Sequence, residues 1–152
     1  MTDRPADFAD TDCVFCKIVA GQIPCHKLLE DDHVLGFLDV GPVSPGHALL
    51  IPKGHYPALH DVPAETAAAL GAALPKLASA LREVGGFDHY NVLQNNGAPA
   101  GQAVFHVHFH LIPRRSGDSR GEGVGLRFDW PAQPLDHEAA APLAEQVRAA
   151  IG

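Results

Sequence analysis

The sequence predicts an α+β domain, with an antiparallel sheet of about five strands, one long helix and short terminal helices. Three observations carry this prediction. The run Val104–Ile112 (VFHVHFHLI) alternates apolar residues with histidines at period two, as a strand does when one face meets a core. Residues 64–84 (AETAAALGAALPKLASALREV) are rich in Ala and Leu and have helical periodicity. The segments follow the order strand-strand-strand-helix-strand-strand, without the regular alternation of a parallel βαβ sheet.

Taken in chain order, residues 1–12 read as a loose tail. Val14–Ala20 is short and apolar, ends at Gly21, and suits a single short helix. Lys27–Glu30 and His33–Asp39 are expected strands joined by the turn-like Asp31-Asp32. Pro42, Ser44, Pro45 and Gly46 mark a loop. Ala48–Ile51, closed by Pro52, is a continuous apolar run of the kind a buried strand shows. Gly85-Gly86 should stop the long helix, and Pro75 within it should kink it. Asp88–Gln94 and Val104–Ile112 complete the sheet, separated by the polar loop Asn95–Gly101. Beyond Arg114 the chain turns Gly-, Pro- and Arg-rich, and an amphipathic helix is expected from about Asp136 to Ile151. The reading is therefore one domain, 13–115, with a C-terminal extension, 116–152.

The chain has 152 residues, of which 46% are hydrophobic and 19% charged, a soluble globular composition large enough for its own core. Its net charge of −7 argues against a general nucleic-acid binder. It leaves room for a small phosphate ligand held by imidazoles and backbone N–H groups. No apolar stretch has membrane-spanning length, and the acidic start MTDRPADFAD lacks the layout of a signal peptide. No membrane partner and a cytoplasmic location are expected. Three cysteines are an odd number for a disulfide framework, and Cys13-x-x-Cys16 in a reducing compartment reads as a metal or redox site.

On one strand, His106, His108 and His110 would form a row, with Phe105, Val107, Phe109 and Leu111 packing into the core behind it. At strand spacing the outer pair lies about 13 Å apart, so one metal ion could use two neighbouring members at most. A half-exposed strand with one incidental histidine is common, but three at strict period two bring no packing gain. The chemical reading is a nucleophile flanked by acid, base or hydrogen-bonding partners.

HVHFHLIPR at 106–114, with Gly101-Gln102 upstream, resembles the signature of the histidine-triad (HIT) family of nucleotide hydrolases and transferases. CVFCKIVAGQIPC at 13–25, EDDHVLGFLDV at 30–40 and GHALLIPKGH at 46–55 extend the likeness, in the manner of the bacterial Hint-like branch. The resemblance implies that His108 is the nucleophile and takes the nucleotidyl group as a phosphoramidate. It also implies that His110 bonds the phosphate oxygens, that His47 supports the row from a neighbouring strand, and that Asn95 contacts phosphate. Asp39 matches the acceptor for the ribose hydroxyls. Phe15, Phe37 and Val14 are the implied walls of the base pocket, each with core packing as the alternative. The loop 94–102, Gln102 included, would bring amide side chains and backbone N–H groups toward the phosphate. Ala103 departs from the Ser found in many eukaryotic Hint proteins, which bears on protonation of the leaving group.

For Cys13 and Cys16 the resemblance implies a structural zinc site completed by His55 and His106. A closed Cys₂His₂ tetrahedron of this kind stabilises a fold. A redox pair and two core cysteines remain the other readings, and Cys25 has no partner in the scheme. His26, His33, His60, His89 and His137 match no motif position, while Arg114 and Arg115 could meet a polyphosphate tail or simply be solvated. The implied activity is hydrolysis or transfer at the α-phosphate of a purine nucleotide conjugate, of the nucleoside phosphoramidate or dinucleoside polyphosphate type, without a catalytic cofactor, in a homodimer whose sheets continue across the interface. The alternative is a nucleotide-binding regulatory or scaffolding protein with vestigial turnover.

Overall fold

The computed structural model describes residues 10–115 and 133–152. The first nine residues of the expected tail and the Gly- and Arg-rich segment 116–132 lie outside the described residues. Five strands form one antiparallel sheet in the order β1-β2-β3-β5-β4: β1 (Lys27–Glu30), β2 (Val34–Leu38), β3 (Ala48–Pro52), β4 (His89–Leu93) and β5 (Phe109–Arg114). The helices are α1 (Val14–Val19), α2 (Ala64–Gly85) and α3 (His137–Ile151). The α+β class and the sheet are those the sequence predicts. Among the described residues, no helix is long and apolar enough to cross a membrane.

The sheet is covered on both faces, and strand periodicity divides its side chains between them. Val34, Ala48, Leu50 and Leu111 point to one face and pack against Leu70, Ala73, Leu77 and Ala78 of α2. Leu35, Phe37, Leu49 and Ile51 point to the other, where Cys13, Phe15 and Cys16 cover them. Strands β2 and β3 are thus apolar at consecutive positions because both of their faces are buried. Gly36 lets α2 approach closely, since a Cβ there would lie 3.3 Å from Leu77 Cδ2. Helix α2 stops at Gly86, whose φ of 62° is the left-handed cap that glycine adopts without steric cost. Pro75 lies within an unbroken α2; the expected kink does not divide the helix.

The last strand departs from expectation. It begins at Phe109 rather than Val104 and runs through Pro113 to Arg114. The preceding backbone groups are already engaged elsewhere: Val107 N–H donates to the Tyr56 carbonyl (2.7 Å), the Gln102 side chain donates to Val104 O (3.0 Å), and the His108 ring donates to His106 O (2.8 Å). A ladder needs those groups free. Phe105 therefore does not enter the core; it is 51% exposed, while Val107 and Leu111 are buried as expected. Helix α3 is capped by Asp136, which accepts from the N–H groups of Glu138 and Ala139, and none of its residues is buried among those described.

Candidate active site

The face covered by α1 carries the histidines. His110 lies on β5, paired with Leu49 of β3 on one side and Leu93 of β4 on the other. His106 and His108 sit on the irregular segment just before the strand, His106 fully buried and His108 nearly so. The rings of His108 and His110 meet edge to face, with centroids 4.9 Å apart. His47 begins the run into β3, and its ring centroid is 5.2 Å from that of His110.

Hydrogen bonds with fixed donors and acceptors assign the tautomers. The His106 carbonyl can only accept, so His108 Nδ1 carries the proton and Nε2 keeps a lone pair. The Val43 N–H donates to His47 Nδ1 (3.0 Å), which places the His47 proton on Nε2. That Nε2–H donates to His110 Nδ1 (2.9 Å), so His110 presents an Nε2–H. The pair offers one nucleophilic nitrogen beside one donor. Burial pushes the His110 pKa down to about 4, with the His108 and His47 rings adding to the effect, and burial also lowers that of His47. Both rings are therefore neutral at physiological pH.

Asp39 Oδ2 lies 3.5 Å from His47 Nε2, while Oδ1 accepts from the Gly41 N–H (2.8 Å). Ligand-type atoms of Asp39, His47 and His110 all lie within 4.8 Å of one another. Metal binding there conflicts with the tautomers: a His47 Nε2 that carries a proton has no lone pair to give. A proton joins His47 to His110, and the Asp39 carboxylate lies beside that pair.

A second cluster has the opposite character. Sγ of Cys13 lies 3.4 Å from His106 Nδ1, and Sγ of Cys16 lies 3.6 Å from His106 Nδ1 and 3.4 Å from His55 Nδ1. Bond lengths of about 2.3 Å to sulfur and 2.0 Å to nitrogen at a tetrahedral angle require S···N edges of about 3.5 Å. The edges match. His106 Nε2–H donates to the Pro52 carbonyl (2.8 Å), which leaves Nδ1 as a buried lone pair aimed into the cluster. His55 Nε2 faces Asp10 Oδ2 at 3.9 Å. Cys13 caps α1, its sulfur accepting from the Cys16 N–H. Burial raises the Cys16 thiol pKa to about 11, an effect that a divalent cation reverses. The four residues fit a zinc ion. Cys25 lies outside the cluster, half-buried beside the α1 layer.

The remaining expected residues divide. Phe15 and Phe37 are buried and meet edge to face at 5.8 Å, whereas Val14 is 38% exposed. Asn95 is half-buried in the loop next to the histidines. Gln102 is 5% exposed, and its amide is engaged: Oε1 accepts from Gly97 N–H (2.7 Å), and Nε2 donates to the carbonyls of Pro57 (2.7 Å) and Val104 (3.0 Å). It braces the loop. Arg115 stacks on Phe87 and donates to the carbonyls of Pro45 and Gly85, away from the histidines. Ala103 is exposed. Asp10 and the carbonyls of Pro52 and Tyr56 were not anticipated, because backbone acceptors and a lone acidic residue leave no pattern in a sequence.

Comparison with known proteins points to one family. A family profile described as "HIT domain" matches residues 20–117. The chain is 45% identical over 139 residues to the adenosine 5'-monophosphoramidase hnt1 of Schizosaccharomyces pombe, covering 91% of this chain and 98% of that one. It is 48% identical over 129 residues to the adenylylsulfatase HINT3 of Arabidopsis thaliana, covering 85% of this chain but just under two thirds (64%) of that enzyme. Among solved structures, a Zn-bound histidine triad family protein from Mycobacterium smegmatis superposes with a TM-score of 0.68 at 40% identity, covering 91% of this chain and 97% of that one.

Proposed function

The chain belongs to the HIT family, and from that premise we propose that it is a nucleotidyl hydrolase acting at the α-phosphate of purine nucleotide conjugates, of the phosphoramidate or adenylyl sulfate type. One observation carries the reading: His108 Nδ1–H is held by the His106 carbonyl at 2.8 Å, which fixes Nε2 as a free lone pair beside the His110 donor. The names of the related enzymes support the substrate class.

In the first step His108 Nε2 attacks phosphorus and the bond to the leaving group breaks, sulfate departing as an anion or an amine departing with a proton taken from solvent, and a nucleotidyl-imidazolium forms. The positive charge that develops on the ring is stabilised through Nδ1–H by the His106 carbonyl. His110 Nε2–H donates to a non-bridging phosphate oxygen, and the Asn95 amide adds a neutral donor there, while the N–H groups of Gly97, Ala100, Gly101 and Gln102 hold the loop itself together. Water then attacks phosphorus, the P–N bond breaks, and the nucleoside monophosphate leaves. Asp39 accepts from the ribose hydroxyls beside the His47–His110 pair. Val14, the exposed member of the three expected walls, meets the base, with Phe37 packed in the core behind it. With Ala103 in place of a hydroxyl, the leaving group receives no side-chain proton from that position, so amine leaving groups that need protonation turn over more slowly.

Cys13, Cys16, His55 and His106 hold a structural zinc ion, whose contribution is to tie α1 to the segment before β5. A cytoplasmic homodimer completes the proposal. Strand β4 is a sheet edge with Tyr90 and Val92 40% and 50% exposed, and Asn91 Oδ1 is buried without a hydrogen-bond partner among the described residues. Pairing between two such edges would continue the sheet. The test of the activity is monophosphate release from adenosine 5'-phosphoramidate and adenylyl sulfate by wild type and His108→Ala. The expected result is turnover that His108→Ala abolishes. Equal release by both proteins refutes the nucleophile, and tight binding without turnover by wild type refutes the hydrolase.

A further inference from the structure

We propose that Phe15 is a positioning residue for His108, through which metal occupancy of the Cys13/Cys16/His55/His106 cluster sets the place of the attacking imidazole. This rests on the metal and nucleophile assignments above. Phe15 stands between the two cysteines on the first turn of α1 and is 7% exposed. Its ring meets three others edge on: His106 at 5.7 Å and 84°, His108 at 5.1 Å and 78°, and Phe37 at 5.8 Å and 70°. One flat side chain therefore touches both the metal ligand and the nucleophile.

His106 joins the same two sites by another route, with Nδ1 in the cluster and its backbone carbonyl on His108 Nδ1. A tetrahedral ion holds the first turn of α1 against His106 and so fixes the wedge that Phe15 fills. His110 backs His108 from a second direction at 4.9 Å. With the cluster closed, His108 is confined by Phe15, His110 and the His106 carbonyl. When the cluster opens, α1 loses its tie and the Phe15 contact loosens. A displacement of about 1 Å at a reacting atom can cost about 100-fold in rate.

The experiment compares zinc-loaded wild type, Phe15→Ala and Phe15→Leu in rapid-quench formation of the His108 adduct, using adenosine 5'-phosphoramidate and the base-free ribose 5-phosphoramidate. Phe15→Ala is expected to keep one zinc and a cooperative melt yet to form the adduct about tenfold or more slowly on both substrates. Its KM should stay within about threefold, and Phe15→Leu should recover most of the rate. A defect confined to KM, or one that vanishes on the base-free substrate, means that Phe15 only walls the base and overturns the proposal.

Cobalt(II) in the cluster gives a second readout that does not depend on turnover. Coupling is reciprocal, so trapping the nucleotidyl group on His108 should shift the cobalt–thiolate absorption of wild type, and the shift should shrink by at least half in Phe15→Ala, where only the His106 route remains; an equal shift in both overturns the proposal. An unmoved wild-type band overturns the proposal while leaving the site assignments intact. A wild type that binds no metal, or forms no adduct on His108, refutes those assignments and the proposal with them.

Discussion

Replacing His47 by Leu should damage catalysis through a proton that sits two groups away from the substrate. In the wild type, His47 Nε2–H donates to His110 Nδ1 at 2.9 Å and compels His110 to present Nε2–H to the phosphate. Removing His47 leaves Asp39 as the strongest acceptor near His110: its carboxylate lies within 4.8 Å of the ring and closes that gap once the imidazole between them is gone. The His110 proton then moves to Nδ1, where the carboxylate accepts it, and Nε2 turns a lone pair toward an anionic phosphate. A charge-assisted hydrogen bond favours the wrong tautomer by about 1.5–3 kcal/mol, so kcat should fall by about 10- to 150-fold. Without that bias the two neutral tautomers would be nearly equal, and the loss would be about twofold.

The double variant His47→Leu/Asp39→Asn should therefore regain part of the kcat lost by His47→Leu, although its KM rises with the weakened ribose contact. Steady-state kinetics separate the two parameters, and long-range nitrogen–proton correlation of labelled histidine reads the His110 tautomer directly. A folded His47→Leu protein with kcat within twofold of wild type refutes the proton chain. A double variant no faster than the single one refutes the role given to Asp39.

Other outcomes follow from the same contacts. Cys13→Ser should lose its stoichiometric zinc by elemental analysis, and losing about 4 kcal/mol of ligand stabilisation should lower Tm by about 8–16 °C in calorimetry; retention of one zinc per chain sinks the ligand set. Gln102→Ala removes an amide that bonds three backbone groups, so Tm should fall by about 4–12 °C with a smaller drop in kcat as the Asn95 loop loosens; an unchanged Tm means that the amide is no brace. Acid should weaken the fold through His110. Its pKa is depressed from 6.5 to about 4 in the folded chain, so its contribution is full above about 6.5 and is lost as pH falls toward 4, up to about 3 kcal/mol. His110→Gln should flatten that part of the stability–pH curve, and an identical curve for both proteins counts against the buried neutral ring.

The strands and long helix were legible because their periodicities are unambiguous. Ala48–Pro52 is apolar at every position, and Ala64–Gly85 is followed by Gly86 in the left-handed conformation. Period two read correctly that His110 lies on one face of the sheet, but it overextended the strand back to Val104. Alternation continues only in the side chains there; the backbone carbonyls of Val104 and His106 already hold Gln102 and His108. Phe105 is exposed for the same reason. The partners that decide protonation, Val43 N–H and the carbonyls of Pro52 and His106, are peptide groups every residue possesses, so no pattern of side chains could announce them. Gln102 illustrates the converse. Its side chain suggested a ligand, and its burial shows an amide already engaged by the loop.

The attack by His108 is tested most directly by quenching a single turnover with adenosine 5'-phosphoramidate within milliseconds and locating any added nucleotidyl group by intact and fragment mass spectrometry. The mechanism predicts an acid-labile adenylyl group on the His108 ring that appears before the monophosphate and is absent in His108→Ala. Monophosphate that forms at the wild-type rate with no adduct on His108 would contradict it.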